Sequence, residues 1–213
     1  MIRAVLWDFG GVLTSSPFEA FNRYEQGKGL PADFVRQVNT RNPDNNAWAR
    51  FERSEIDIDR FDKLFLEEST ALGQPVPGKD IVALLGGDLR PEMVEALRRC
   101  NEHFLTACIT NNVRAGAGPG MCRDEKQAEA AREVLKLFKF VVESSEAGVR
   151  KPDPRIYRMA CDKLGVDPCE AVYLDDLGIN LKPARALGMT TIKVADPGVA
   201  LAELETVLGI SLR

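Results

Sequence analysis

The stretch AVLWDFGGVLT, residues 4–14, carries an apolar run, Ala4–Trp7, straight into a single acid, Asp8. A glycine pair, Gly10 and Gly11, and then a hydroxyl, Thr14, follow with no basic residue beside the acid. A short unbroken apolar run that ends in turn residues reads as a strand buried on both faces, the habit of parallel sheets. Further runs of this kind lie at 104–109, 140–142, 171–174 and 190–194, separated by segments of helical periodicity. Strands that alternate with helices predict an α/β fold, a doubly wound, Rossmann-like parallel sheet. The punctuation agrees: Pro91 and Pro154 suit first helical turns, and Gly165 and Gly188 suit helix ends.

About 90 residues separate the first two strands, too many for one crossover helix. Residues 15–85 carry helical patterns with Phe18, Phe21, Trp48, Phe51, Phe61 and Phe65 at apolar positions, and they end near the breaker-rich GQPVPGK. They predict a small all-helical domain inserted into a core made of 1–14 and 86–213. The glycine-rich RAGAGPGM at 114–121 lacks the Gly-Lys-Ser/Thr of a phosphate loop and reads as a surface loop.

Of 213 residues, 45% are apolar and 28% charged, an ordinary globular balance with no apolar window approaching a membrane span. The apolar start is too short for a signal peptide, so a soluble, cytoplasmic protein without a membrane partner is expected. The net charge of −4 comes with dispersed basic residues, which argues against nucleic acid and for small-molecule chemistry, by a monomer or homodimer. Five cysteines form no zinc-type pair and read as reduced, packed thiols. The single histidine, His103, suits a helix end, which leaves acid–base chemistry to carboxylates or a metal.

The other strands also end in polar residues: Thr110, Asn111 and Asn112 after the second, Ser144, Ser145 and then Lys151 after the third, Asp175 and Asp176 after the fourth. Ligand crevices in open α/β sheets form at that carboxyl edge, so residues far apart in sequence can converge there. Three carboxylates and one ammonium in a cleft repel unless acids are protonated or a cation is present. Few oxygen ligands, with waters to complete the shell, suit Mg²⁺ better than zinc or calcium. Asp8 could then be ligand or nucleophile, Gly10 would offer its carbonyl to the metal, and Mg²⁺ with Lys151 would make a pocket for a phosphoryl group. Taken singly, each residue has a plain alternative: a loop acid, a helix cap, a surface Lys-Pro turn.

At these residues the sequence resembles the haloacid dehalogenase-like hydrolase superfamily. Asp8 with FGGVLT is similar to its nucleophile motif, Ile109-Thr110-Asn111 to the second, Lys151-Pro152 to the third and Asp175-Asp176 to the fourth. VYLDDLGINLKPARALGMTTIKV is particularly similar to the amino-terminal phosphatase domain of soluble epoxide hydrolase. The resemblance implies a helical cap in the insertion, Asp8 as nucleophile, and Thr110, Asn111 and Lys151 on the phosphoryl group of a small phosphorylated substrate. It further implies Mg²⁺ on Asp8, the Gly10 carbonyl and Asp176, with Asp175 acting through water or Lys151, and Asn180 bracing the motif or lying on a helix surface.

Gly10 departs from the pattern, because most phosphatases of the superfamily carry there a second Asp that protonates the leaving oxygen. Three readings follow: a phosphatase limited to good leaving groups or one that borrows an acid from the cap or the substrate, a low-activity phosphate- and metal-binding module, and a metal-independent 2-haloacid dehalogenase. In the insertion, Asn42, Asn45, Trp48 and Arg50 form a polar, aromatic segment suited to a substrate, with Arg50 as the expected contact; alternatively Trp48 and Phe51 pack the helical core.

Overall fold

The structure is a computed structural model that describes residues 1–115, 121–122 and 124–212. Most of the glycine-rich 114–121 loop therefore lies outside the described residues. Five parallel strands form one sheet: β1 (Ala4–Trp7), β2 (Leu105–Thr110), β3 (Phe140–Glu143), β4 (Ala171–Asp175) and β5 (Thr190–Lys193), in the order β3-β2-β1-β4-β5. The predicted strands are the observed ones, shifted at their ends by a residue. Val194, for instance, sits just past β5, where its N–H donates to the Asp175 carbonyl at 3.0 Å.

Strand β1 is central and wholly buried, which explains why its sequence does not alternate. Val5 and Trp7 pack one face with Met93, Leu97 and Leu204, while Ala4 and Leu6 pack the other with Ile156, Tyr157 and Leu181. Trp7 lies opposite both Cys108 and Leu174, so the chain leaves the sheet at Asp8 between two strands that end beside it. The Asp8 N–H is still held by the Leu174 carbonyl at 2.9 Å.

The insertion comprises α1 (Pro17–Lys28), α2 (Phe34–Thr40), α3 (Ala47–Glu52), α4 (Ile58–Thr70) and α5 (Gly78–Val82). Its apolar residues form a separate cluster around Phe61, which stacks on Phe51 with ring centroids 4.6 Å apart and meets Trp48 and Phe65 on other sides. Val113, just beyond β2, joins this cluster, so the insertion rests on the same sheet edge that carries Asp8. The two connections to the sheet run side by side: Thr14 bridges Leu89, Ser15 N–H donates to the Asp88 carbonyl, and Arg90 N–H to the Leu13 carbonyl, each bond 2.8 Å. Gly87 is required there, because a Cβ would lie 2.5 Å from the Ser15 carbonyl oxygen.

The remaining helices are α6 (Pro91–Asn101), α7 (Glu125–Leu135), α8 (Ser144–Ala147), α9 (Pro154–Leu164), α10 (Gly178–Ala186) and α11 (Pro197–Leu208). Residues of α6, α7 and α11 cover the Trp7 face and residues of α9 and α10 the Leu6 face. Pro91 and Pro154 open their helices as predicted, and Gly165 ends α9 in the left-handed region at φ 67°. No described helix is long and apolar enough to cross a membrane.

Phe61→Ala empties the centre of the helical cluster and is expected to cost about 3–5 kcal/mol. Urea denaturation of the variant measures it; a loss below 1 kcal/mol would mean that the cluster repacks.

Candidate active site

Asp8, Lys151, Asp175 and Asp176 meet at the carboxyl edge of the sheet. The Lys151 ammonium lies 2.8 Å from Asp8 Oδ1 and 2.9 Å from Asp175 Oδ2, with only 1% of its side chain exposed. The backbone presents it from the turn before α9, where the Asp153 side chain caps the helix by accepting from the Arg155 N–H. Burial works against the charge on Lys151, but Asp175 and Asp8 together hold its pKa above the usual lysine range.

The three acids have different environments. Asp175 is fully buried and its oxygens are occupied by Lys151 Nζ, the Tyr173 hydroxyl, the Leu177 N–H at 2.8 Å and Asn180 Nδ2 at 3.0 Å. Asp8 Oδ1 accepts from the Phe9 N–H at 2.7 Å and from Lys151, while its Oδ2 accepts no hydrogen bond among the described residues. Asp176 accepts from Ser16 Oγ at 3.2 Å, and burial together with Asp175 raises its pKa to about 6. Asp8 is pushed well above the carboxylate range by burial and by Asp175 and Asp176, against the pull of Lys151.

The three acids each offer an oxygen within 4.8 Å of the others. One ammonium, shared by Asp8 and Asp175, cannot neutralise three carboxylates, and Asp8 and Asp176 are the acids with oxygens to spare. Such a donor set fits a hard divalent cation that completes its shell with water, as Mg²⁺ does.

The two glycines beside Asp8 differ in kind. Gly11 stands at φ 79°, and a Cβ there would lie 2.3 Å from Asp176 Oδ2, so only glycine lets the loop approach the acid. Gly10 has no left-handed φ and nothing within 4 Å of a Cβ, so its position has room for a side chain.

Thr110 ends β2, buried, and its hydroxyl makes no hydrogen bond among the described residues. Asn111 is brought to the same edge, but its side chain faces the protein. Its Oδ1 accepts from the Lys151 N–H at 2.8 Å, and its Nδ2 donates to the Lys151 carbonyl at 3.0 Å and to Glu52 Oε2 at 3.3 Å. Asn180 does brace the fourth motif, through Asp175.

Arg50 is not brought to the cluster. Its nearest acid is Glu55, 3.8 Å away on the insertion. Residues two apart on a helix face different ways, and on α3 it is Glu52 that turns toward the strand ends. Asn42 and Asn45 are exposed, and Trp48 packs on Phe61 while donating to Glu52 Oε1 at 2.9 Å. Sequence reasoning missed Ser16, Tyr173, Glu52 and Arg150. Tyr173 was within reach of a period-two argument from Asp175; Glu52 carries no motif.

A family model for haloacid dehalogenase-like hydrolases matches residues 2–188, and the chain belongs to that family. It is 36% identical to mouse acyl-CoA dehydrogenase family member 10 and 32% identical to mouse bifunctional epoxide hydrolase 2 over 99% and 98% of its length. It spans only 19% and 39% of those longer proteins. The sesquiterpene phosphatase astK of Aspergillus oryzae is 24% identical, with 97% of each chain covered. The fold also matches a haloacid dehalogenase family enzyme from Bacteroides thetaiotaomicron crystallised with magnesium and inorganic phosphate, with TM-score 0.58, 21% identity, and 91% of this chain and 94% of that one covered.

Because Asp8 and Asp176 are raised, the folded protein binds protons more readily than the unfolded chain between the ordinary carboxylate range and about pH 6. Metal-free stability should therefore fall as pH rises through that window. Thermal unfolding with and without Mg²⁺ checks this: Mg²⁺ should raise Tm at neutral pH and barely at the acid end, and an equal effect at both ends would contradict it.

Proposed function

We propose that the chain is a Mg²⁺-dependent phosphatase that acts on a small phosphorylated metabolite through an aspartyl-phosphate on Asp8. The observation that carries this reading is Asp8 itself, a buried carboxylate with one oxygen fixed by Lys151 and Phe9 N–H and the other unengaged. Family membership and the phosphatase among the relatives support the class of reaction.

In this reading Asp8, Asp176 and the Gly10 carbonyl would hold Mg²⁺, which would supply positive charge against the phosphoryl oxygens. Lys151 and the Thr110 hydroxyl take the remaining oxygens. The unengaged Asp8 oxygen forms a bond to phosphorus as the bond to the leaving oxygen breaks. Water then attacks the phosphoryl group, which releases inorganic phosphate and restores the Asp8 carboxylate. Asp175 is held back from these steps by its hydrogen bonds and acts by orienting Lys151. Asn111 likewise acts through Lys151.

Gly10 supplies no proton to the leaving oxygen, so the reading favours groups that depart as weak bases: acyl phosphates, sugar 1-phosphates and aryl phosphates. Residues 15–85 form the cap that shields the aspartyl-phosphate from bulk water and selects the substrate. The dehalogenase alternative leaves Asp176 without a task. The binding-module alternative keeps every contact but lacks turnover.

Steady-state hydrolysis of aryl, acyl and alkyl phosphates tests the reading. Mg²⁺-dependent turnover of the first two and a dead Asp8→Asn are expected. No turnover by a folded protein that binds Mg²⁺ and phosphate would leave the binding module, and metal-free turnover of a 2-haloacid the dehalogenase.

Gly10→Asp fits the open space at that position and introduces the missing acid. It should speed alkyl phosphate hydrolysis by about 10²-fold, with a much smaller gain on aryl phosphates. An equal change on both substrates would show that proton donation is not what limits the wild type.

A further inference from the structure

Glu52 is a charged residue at the end of α3, yet only 6% exposed, and its polar partners are Trp48 of its own helix and Asn111, Ser144 and Arg150 from the segments beyond β2 and β3. Its Oε1 accepts from Trp48 Nε1, its Oε2 accepts from Asn111 Nδ2, and Arg150 Nε lies 2.5 Å from Oε2. Its main-chain carbonyl accepts from Ser144 Oγ at 2.8 Å, and that hydroxyl in turn accepts from the Asn112 N–H at 3.0 Å. One residue of the insertion thus ties together the segment after β2, the start of α8 and the turn that carries Lys151.

The direction of the bonds matters. Asn111 holds the Lys151 peptide at two points, with its oxygen on the N–H and its amide on the carbonyl. A side-chain amide can satisfy both only in one orientation, and Glu52, which can only accept, secures that orientation through the second Nδ2 hydrogen. Arg150 adjoins Lys151 in the chain and is drawn to the same carboxylate. We propose that Glu52 is a positioning residue that fixes the Lys151 main chain through Asn111, so that the seating of the insertion and the placement of the Lys151 ammonium are coupled. The consequence for catalysis rests on the phosphatase reading above; the coupling itself does not.

The test uses the full chain with Glu52→Gln, which keeps the size but removes the charge beside Arg150 and brings donors to a place where Trp48 and Asn111 already donate. Hydrogen exchange at the Lys151 amide, read without any ligand, should quicken about tenfold or more, because that N–H is donated to Asn111. Arg50→Ala, on the same helix but turned away, should leave that rate within about twofold. Glu52→Asp keeps the charge but withdraws the carboxylate by one methylene; it should show the same quickening and serves if Glu52→Gln does not fold. Affinity for inorganic phosphate with Mg²⁺, by calorimetry, should drop about tenfold in Glu52→Gln, yet change little when the substitution is made in Asn111→Ala, where the link is already gone. Unchanged Lys151 exchange, or an equal loss of affinity in both backgrounds, overturns the proposal. A wild type that neither binds phosphate nor turns over removes the phosphatase reading, while the exchange result still decides the role of Glu52.

Discussion

The buried ammonium of Lys151, held between Asp8 and Asp175, is the interaction on which the rest of the site depends. A charge taken out of water needs partners in good geometry, and one withdrawn without them would give up its proton instead. Here the partners come from two adjacent strands, β1 and β4, whose register ends them side by side. The lysine arrives from the turn before α9, so the sheet order and the charge balance are two sides of one arrangement.

That arrangement places three chemically identical side chains in different environments. Asp175 has no oxygen left for a ligand, because the Tyr173 hydroxyl, Asn180, the Leu177 N–H and Lys151 use them all. Asp176 is held by Ser16 and its own backbone N–H, and burial makes its ionisation expensive in the absence of a cation. Asp8 lies between these extremes, half secured and half available. Environment decides the role, as it does wherever carboxylates of one site are driven to different protonation behaviour.

Much of this was legible in the sequence, for physical reasons. Strands buried on both faces must be continuously apolar, so β1 and β4 announced themselves, and polar residues at their ends had to stand at the ligand-binding edge. Pro91, Pro154 and Gly165 marked helix ends because their backbones permit little else or permit more than others do. The glycine pair was legible only in part: the close approach of Gly11 to Asp176 is a distance between residues 165 positions apart, which no local pattern encodes. Arg50 stands beside Glu55 on the insertion and not among the acids for the converse reason. Composition drew attention to its segment, but the rotation of α3, set by packing around Phe61, turned Glu52 to the core in its place.

In the proposed reaction an Asp8 carboxylate oxygen is the atom that bonds to phosphorus. Acid quenching of the protein during turnover of an acyl phosphate with Mg²⁺, followed by peptide mass analysis, tests this directly. A phosphoryl group on the peptide that contains Asp8, released by hydroxylamine and absent in Asp8→Asn, is the predicted result. Turnover that continues with no adduct in the wild type and persists in Asp8→Asn would contradict it.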